Sequence, residues 1–570
     1  MSSGGLSSAT GVVLARPDVS PLRTKQGAWI GVGASSFTVR GASAFQVVST
    51  LLNRSDGSRT GREVVDEFPA GARPAVSRVL DALVARRCVA VLDAPMSRQV
   101  AAKGPASEWL IPYLAQLTEE PVRALDRVLA TTLHLYGRPG WLDRLRQLLE
   151  ASPLFGLRTG FHAVSAEEPV PQWEDAGLAV VDADGLSYEH TVRLQDALLE
   201  RGVPHGIVGA VRGRRWILWS DDTATGCWEC LCRYGHTAQS ATPADTAPTA
   251  PDDATAAALI HAIYLRSAGL GEHAAAVSMP LGPNLPTVTT HPVWSAAGCR
   301  CHRAVAPSVT GGEREDAAEE LVRRNIVSPE DDGRLDDVHE RIVDTLRSWT
   351  DEFAGPFCYL DGGDLSQVPF GQARATALVG LADECRVHEL TTATLSPREA
   401  IYQAALNVLE RFAPPAVGAG WSLDEAVYRA LLKWSMAQPL DPSAWAHLSD
   451  DDLGHGECAG FSRYIQRTAA RNRGGEEVRW TGTRLPNGIH RVTGRAAGKP
   501  VAHGAGACYA EAVSMALLGL VNDDGALVPL NPHFLTWTEV WRHIARPECA
   551  EVTARTVPFA RGKVRLVEVI

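Results

Sequence analysis

Positive charge is scarce in this chain. Its 55 lysines and arginines face 66 aspartates and glutamates, a formal net charge of −11 over 570 residues. That balance argues against a dedicated nucleic-acid binder, while leaving room for a local basic patch. Long apolar runs are missing too. No uninterrupted stretch reaches the ~20 residues that a bilayer-spanning helix requires. The opening "MSSGGLSSATGVV" has no basic segment ahead of an apolar one, so it does not read as a signal peptide. The expectation is a cytoplasmic protein with no membrane and no nucleic acid among its partners. Aromatic residues are only 6% of the chain, yet apolar residues reach 45% and charged ones 21%. A large core is therefore within reach and wholesale disorder is excluded. The length suggests three or four domains of ~150 residues each.

What the chain does have is cysteine in two dense clusters. There are eleven in all, an odd number, and disulfides are disfavoured in a reducing cytosol. Six of them (Cys88, Cys358, Cys385, Cys458, Cys508 and Cys549) stand alone and read as small buried hydrophobes. The other five fall in "CWECLC", from Cys227, and "CRC", from Cys299. Two short cysteine pairs can supply four thiolates in tetrahedral geometry, which suits zinc. Cys227, Cys230, Cys299 and Cys301 are the expected ligands. Cys232, His236 and His302 compete for the fourth position. With four thiolates no coordination site is left for water, so such a zinc is structural. The alternative is a redox-active Cys-x-x-Cys beside unrelated thiols.

Along the chain, "PLRTKQGAWIGVGASSFTVRG" (21–41) predicts strands joined by tight turns. Three helical patterns follow. "ASAFQVVSTLLNR" carries an apolar face, "TGREVVDEF" opens with a Thr60/Glu63 capping-box spacing, and "RPAVSRVLDALVARR" has Pro74 in its first turn. "CVAVLD" then reads as a strand. The order is that of a winged-helix-like module over 1–95. Residues 125–305 alternate between strand and helix patterns, which implies a mostly parallel sheet. The Pro-, Ala- and Thr-rich 237–256 reads as a mobile loop. Three more helical patterns, "SPREAIYQAALNVLERF", "SLDEAVYRALLKWSM" and "YAEAVSMALLGLV", each follow a short turn bearing Gly, Ser or Thr.

"GRRWILWSDDTATGCWECL" with "HPVWSAAGCRC" resembles the zinc-bearing part of ThiF-like domains, and more closely those of azole-forming peptide-modification systems. The resemblance implies a zinc clasp on a central α/β domain, 96–308. Adenylating members need a Gly-rich strand-to-helix turn for phosphates. Here that turn is "LYGRPGW", in which Pro139 lacks an N–H and the G-x-G-x-x-G spacing is absent. The expectation is a domain that cannot adenylate, with "DADG" (182–185, read there as a polar turn) at a strand end. The last three helical patterns resemble, in order, the ATP-site segments of the YcaO family, and "NIVSPEDDGRL" resembles its opening. That family holds Mg²⁺-ATP with glutamates. This chain has Asn407, Lys433, Met436 and Gly519 where acids are expected, keeps Glu410 and Arg411, and ends in "VRLVEVI" without the family's proline-rich tail. The resemblance thus implies a degenerate YcaO-like domain over 309–570 that binds no ATP. The nucleophile-like residue types Cys458 with His455, and Cys508 with His503, lack an orienting partner and read as turn or core residues.

The N-terminal module resembles the precursor-peptide recognition element of ribosomal-peptide modification systems. It implies that a leader peptide adds to a free sheet edge at Phe37, Thr38, Val39 and Arg40, with the helix 74–87 as a wall. Arg40, Arg78, Arg86 and Arg87 would then attract an acidic leader. The expected whole is an α+β and α/β multidomain, non-catalytic partner. It brings a precursor peptide to a separate catalytic YcaO cyclodehydratase for azoline and azole formation. Two rivals remain: a complete ATP-dependent cyclodehydratase, and a winged-helix DNA-binding regulator.

Overall fold

The computed structural model describes residues 7–32, 35–151, 158–163, 177–211, 213–220, 226–234, 253–270, 275–280, 288–299, 301, 333–368, 370–379, 386–394, 396–439, 445–449, 452, 463–465, 467–468, 478–496, 499–522, 527–529 and 537–570. Most of the expected loop 237–256, the likeness at 325–335 save its last three residues, His236, His302, Cys385, His455 and Cys458 lie outside them. The chain packs as two compact units. The first is Met1–Ala210, Arg214–Asp222 and Ala244–Thr289; the second is Val211–Gly213, Thr223–Pro243 and Thr290–Ile570. Both cysteine clusters therefore pack with the second unit.

The first unit begins with Val12–Ala15, a strand that the sequence reading passed over. It lies between Asp56–Thr60 and Val89–Leu92, antiparallel to both. A second antiparallel sheet runs Ser20–Thr24, Gly27–Val32, Ser35–Arg40. Period-two alternation sets its faces. Ala28, Ile30 and Val32 turn inward and are buried, whereas Trp29 between them is exposed. Their core partners come from helices Ala44–Arg54, Gly61–Asp66 and Arg73–Ala85, through Val48, Leu51, Val64, Val76, Leu80 and Leu83. The expected capping box is formed: Glu63 N–H donates to Thr60 Oγ1 at 3.3 Å, and Thr60 N–H to Glu63 Oε2 at 2.7 Å.

Helix Arg73–Ala85 ends in an unusual way. Cys88 N–H donates to Leu83 O at 2.8 Å and Arg87 N–H to Val84 O at 2.9 Å. This is the paired closure in which the residue past the cap is left-handed and usually glycine. Here it is Arg87, at φ 57°.

Helices Met96–Lys103, Ser107–Leu117 and Pro121–Ala130 lead into the larger sheet. Its strands within this unit run in the order 275–280, 214–220, 205–211, 178–182, 132–137, 158–163. The 132–137 strand is parallel to both neighbours, and 178–182 is parallel to 205–211, as the strand–helix alternation predicts. Leu133, Leu135 and Val180 pack against Trp141, Leu145, Leu259 and Ile263 of the covering helices.

The second unit repeats one piece of chain. "TATLSPREAIY" (392–402), "GAGWSLDEAVY" (418–428) and "GAGACYAEAVS" (504–514) each run from a strand end into a helix. The helices are Pro397–Leu409, Leu423–Ala437 and Tyr509–Leu518. Ser396, Ser422 and Cys508 cap them, each accepting from the backbone N–H of a glutamate three residues on. Glycine lets strand and helix meet directly. A Cβ on Gly418 would lie 2.4 Å from Ala426 O, and one on Gly504 2.0 Å from Ala512 O. Gly504→Ala must push the helix off its strand. A loss of ~1–3 kcal/mol, the usual cost of overpacking, is expected in the urea unfolding of this unit.

Candidate functional site

Within the second unit, Cys227 and Cys230 stand at the start of helix Trp228–Tyr234, and Cys299 and Cys301 in the turn after Trp294. The four sulfurs lie within 4.8 Å of one another, and all four residues are buried. Separations are 3.2 Å for 227–299, 3.2 Å for 299–301, 3.6 Å for 230–301 and 3.7 Å for 227–230. A zinc with four sulfurs at ~2.3 Å needs edges only slightly longer. Ala296 N–H donates to Cys230 Sγ at 3.2 Å, the bond a thiolate seeks. Arg233 pairs with Glu229 at 2.6 Å and donates to Ala297 O, tying the two knuckles together. Thiol donors, Cys227 first, hold Cys299 down to about 7, while bonds led by that to Cys230 push Cys227 well up. Cys232 stays outside the group. Trp294, Phe412 and Phe559 pack around the cluster. The site can hold a metal ion in a closed, dry setting. Cys227→Ser should abolish stoichiometric metal by elemental analysis and lower the melting temperature, because metal binding to such a site is folding energy.

The acid-poor helices meet in a buried polar network. Glu410 is only 3% exposed. Its Oε1 accepts from Arg429 Nε at 2.7 Å and Ala419 N–H at 2.9 Å, and its Oε2 from Lys433 at 2.6 Å. Arg429 also donates to Gln403 Oε1 at 2.6 Å and Asn407 Oδ1 at 2.9 Å. Lys433, one of the residues standing where a carboxylate was sought, thus faces the retained Glu410 and donates to Val417 O at 2.8 Å. A second thread joins the repeats. Tyr402 OH donates to Glu425, and Tyr428 OH to Glu511 at 2.7 Å. In the third repeat Ser514 takes the tyrosine's place, and its buried hydroxyl has no partner among the described residues. Arg429, Gln403 and both tyrosines escaped the sequence reading. The thrice-repeated spacing of cap and glutamate was the signal available.

Burial pushes Glu410 up, but Arg429 and Lys433 outweigh it, so its pKa is lowered. A carboxylate depressed in the folded state adds stability above its ordinary range, and that contribution is lost as pH falls through the depressed value. Glu410→Ala leaves the buried Arg429 and the partly buried Lys433 without their counterion and should cost ~3–5 kcal/mol. Glu410→Ala with Lys433→Met should recover part of this. Urea denaturation of the two variants decides it.

In the first unit, strand Ser35–Arg40 pairs only with Gly27–Val32, so its other edge is free among the described residues. Phe37 and Val39 are half-buried and join the core cluster with Val76, Val79 and Val84, whereas Thr38, Arg40, Arg78 and Arg86 are exposed. Arg86 lies over the Phe37 ring, 4.4 Å from its centroid. The structure thus joins Arg86 to the strand, and leaves Arg78 on the solvent side of its helix.

At the turn after strand 132–137, Arg138 grips Asp182 with Nε at 2.7 Å and Nη2 at 3.1 Å. Asp184 pairs with Arg215 and accepts from Ala210 N–H at 2.6 Å. The "DADG" segment is therefore an ion-paired anchor. Gly137 is required here, since a Cβ would lie 2.7 Å from Asp182 Cβ.

No family model matches the sequence, and no curated protein matches it. Solved structures do. A heterocyclase in complex with substrate and cofactor aligns over 98% of this chain and 94% of its own, with TM-score 0.61 and 12% identity. The heterocyclase TruD aligns over the same shares, with TM-score 0.50 and 13% identity. The chain has the fold of these heterocyclases.

Proposed function

We propose that this chain binds the leader of a ribosomal precursor peptide and presents it to a separate, ATP-dependent YcaO cyclodehydratase for azoline and azole formation. One observation carries the reading: a free strand edge at Ser35–Arg40, its inward Phe37 roofed by Arg86, in a chain with the heterocyclase fold. An extended leader would add as a fourth strand to that three-stranded sheet of the winged-helix-like module (1–95), and Arg40, Arg78 and Arg86 would favour acidic residues in it. The central ThiF-like part (96–308) supplies framework; Arg138 and Asp182 take up the turn where an adenylating enzyme would hold phosphates. The YcaO-like part (309–570) is degenerate. Mg²⁺ needs hard oxygen ligands. The positions where they were sought carry Asn407, Lys433, Met436 and Gly519, and Glu410 is held by two internal cations. The four thiols would hold one structural zinc, which closes the cluster and supplies no open coordination position.

The second reading, a complete ATP-dependent cyclodehydratase, is favoured by the alignment over nearly the whole length of the heterocyclases. ATP turnover by the isolated chain would select it.

Fluorescence polarisation with a labelled leader tests the first reading. Thr38→Pro should abolish capture: the bond from Gly41 N–H to Gln26 O and the Ala28↔Val39 register turn the Val39 N–H into the sheet and the Thr38 N–H to the free edge. Reversing Arg78 and Arg86 to glutamate should cost ~1–3 kcal/mol at low salt, or about tenfold or more in affinity, and less as salt rises. Unchanged affinity in both variants, with the fold intact, would put the leader elsewhere.

A further inference from the structure

The same module has a second free edge, with a cavity against it. Among the described residues, strand Val89–Leu92 pairs only with Val12–Ala15. The direction of its unused groups follows from the pairing. Arg16 N–H donates to Cys88 O at 3.0 Å, while Ala15 N–H turns the other way, to Ser55 O at 2.6 Å. Bonded pairs alternate along an antiparallel ladder. Leu14 and Val12 therefore exchange bonds with Ala90 and Leu92, and the N–H and C=O of Val89 and Val91 point to the free edge.

A cleft of about 470 Å³ lies there, lined by all four consecutive strand residues Val89–Leu92. Successive side chains of a strand face opposite ways. A cavity touching four in a row meets the backbone edge. The far wall is the turn between helices Ser107–Leu117 and Pro121–Ala130, including Ala115, Pro121 and Val122. The volume is within the ~300–1,000 Å³ typical of ligand sites.

Charge narrows the occupant. Four carboxylates (Asp93, Glu119, Glu120 and Asp126) line the cleft with two guanidiniums (Arg87 and Arg123). Arg87 takes Glu119, Arg123 takes Glu120, and Lys103 takes Asp126. Asp93, at the strand's end, accepts only from Gln99 Nε2 at 2.6 Å and has no ion pair among the described residues. An extended segment bearing a lysine or arginine complements this edge in both backbone bonds and charge. The leader edge, flanked by Arg40, Arg78 and Arg86, has the opposite preference. The turn at Arg86–Cys88 divides the two, with Arg86 over Phe37 and Arg87 on the cleft.

We infer that the Val89–Leu92 edge binds a second, basic segment of the precursor peptide in extended form, outside the leader stretch; this rests on the proposed peptide-binding role. Fluorescence polarisation with a full-length precursor and its leader-only truncation tests it. Wild-type protein should bind the full-length peptide about tenfold tighter than the leader alone. Val91→Pro removes an edge N–H that Val12–Ala15 does not use, and Asp93→Asn removes charge while keeping the acceptor for Gln99. Each should erase that difference and leave leader-only affinity unchanged. Benzoylphenylalanine at Glu119 should cross-link to the non-leader segment. Equal binding of the two peptides by wild-type protein, a difference that survives both variants, or a cross-link to the leader overturns the inference while the leader-binding role stands. If neither peptide binds wild-type protein, that role falls and the inference with it.

Discussion

A carboxylate buried in protein stays ionised only if cations and donors replace its lost water. Glu410 meets this condition with groups from three directions: Arg429 and Lys433 on the helix 423–437, and the N–H of Ala419 on the strand 417–420. One side chain thus ties the end of helix 397–409 to the strand and helix that follow it. Arg429 extends the tie through Gln403 and Asn407. The repeats are joined in the same manner at Glu425 and Glu511, each taken by a tyrosine of the preceding helix. These helices are buried nearly all round, so apolar packing alone would leave their register loosely set. Polar groups that accept only one geometry set it.

The thiol cluster belongs to the same unit and follows a related logic. Four thiols packed this closely in a dry interior are poorly matched with one another, which is why their proton affinities are driven apart. A single divalent ion would resolve that conflict for all of them.

Much of this was legible from residue patterns. The apolar residues set among glycines and serines in 21–41, the Thr60/Glu63 spacing and the paired cysteines each name a local structure with a physical cause, and the structure has strands, a capping box and a cysteine cluster there. The strand Val12–Ala15 was not legible. Its four residues carry no alternation, being buried or nearly so throughout, and only two flanking strands define it. The network around Glu410 was not legible for a similar reason. Arg429, which pairs with Glu410, and Gln403, which accepts from Arg429, lie on different helices, and only the crossing of the two brings them together. That residues 226–234 pack with the later unit is likewise not legible, because packing allegiance leaves no mark on composition.

Arg87 sits in a backbone conformation that costs a residue with a Cβ about 1–2 kcal/mol and costs glycine almost nothing. The helix terminus would be closed more comfortably by glycine, so in this respect the chain stands off its own stability optimum. A glycine there would tighten the turn while deleting a guanidinium from one wall of the cleft. It would also leave Glu119 without its partner and make the cleft more acidic. Selecting this protein for heat resistance would tend to erase the arginine, and a thermostable relative would then overstate the charge of this edge.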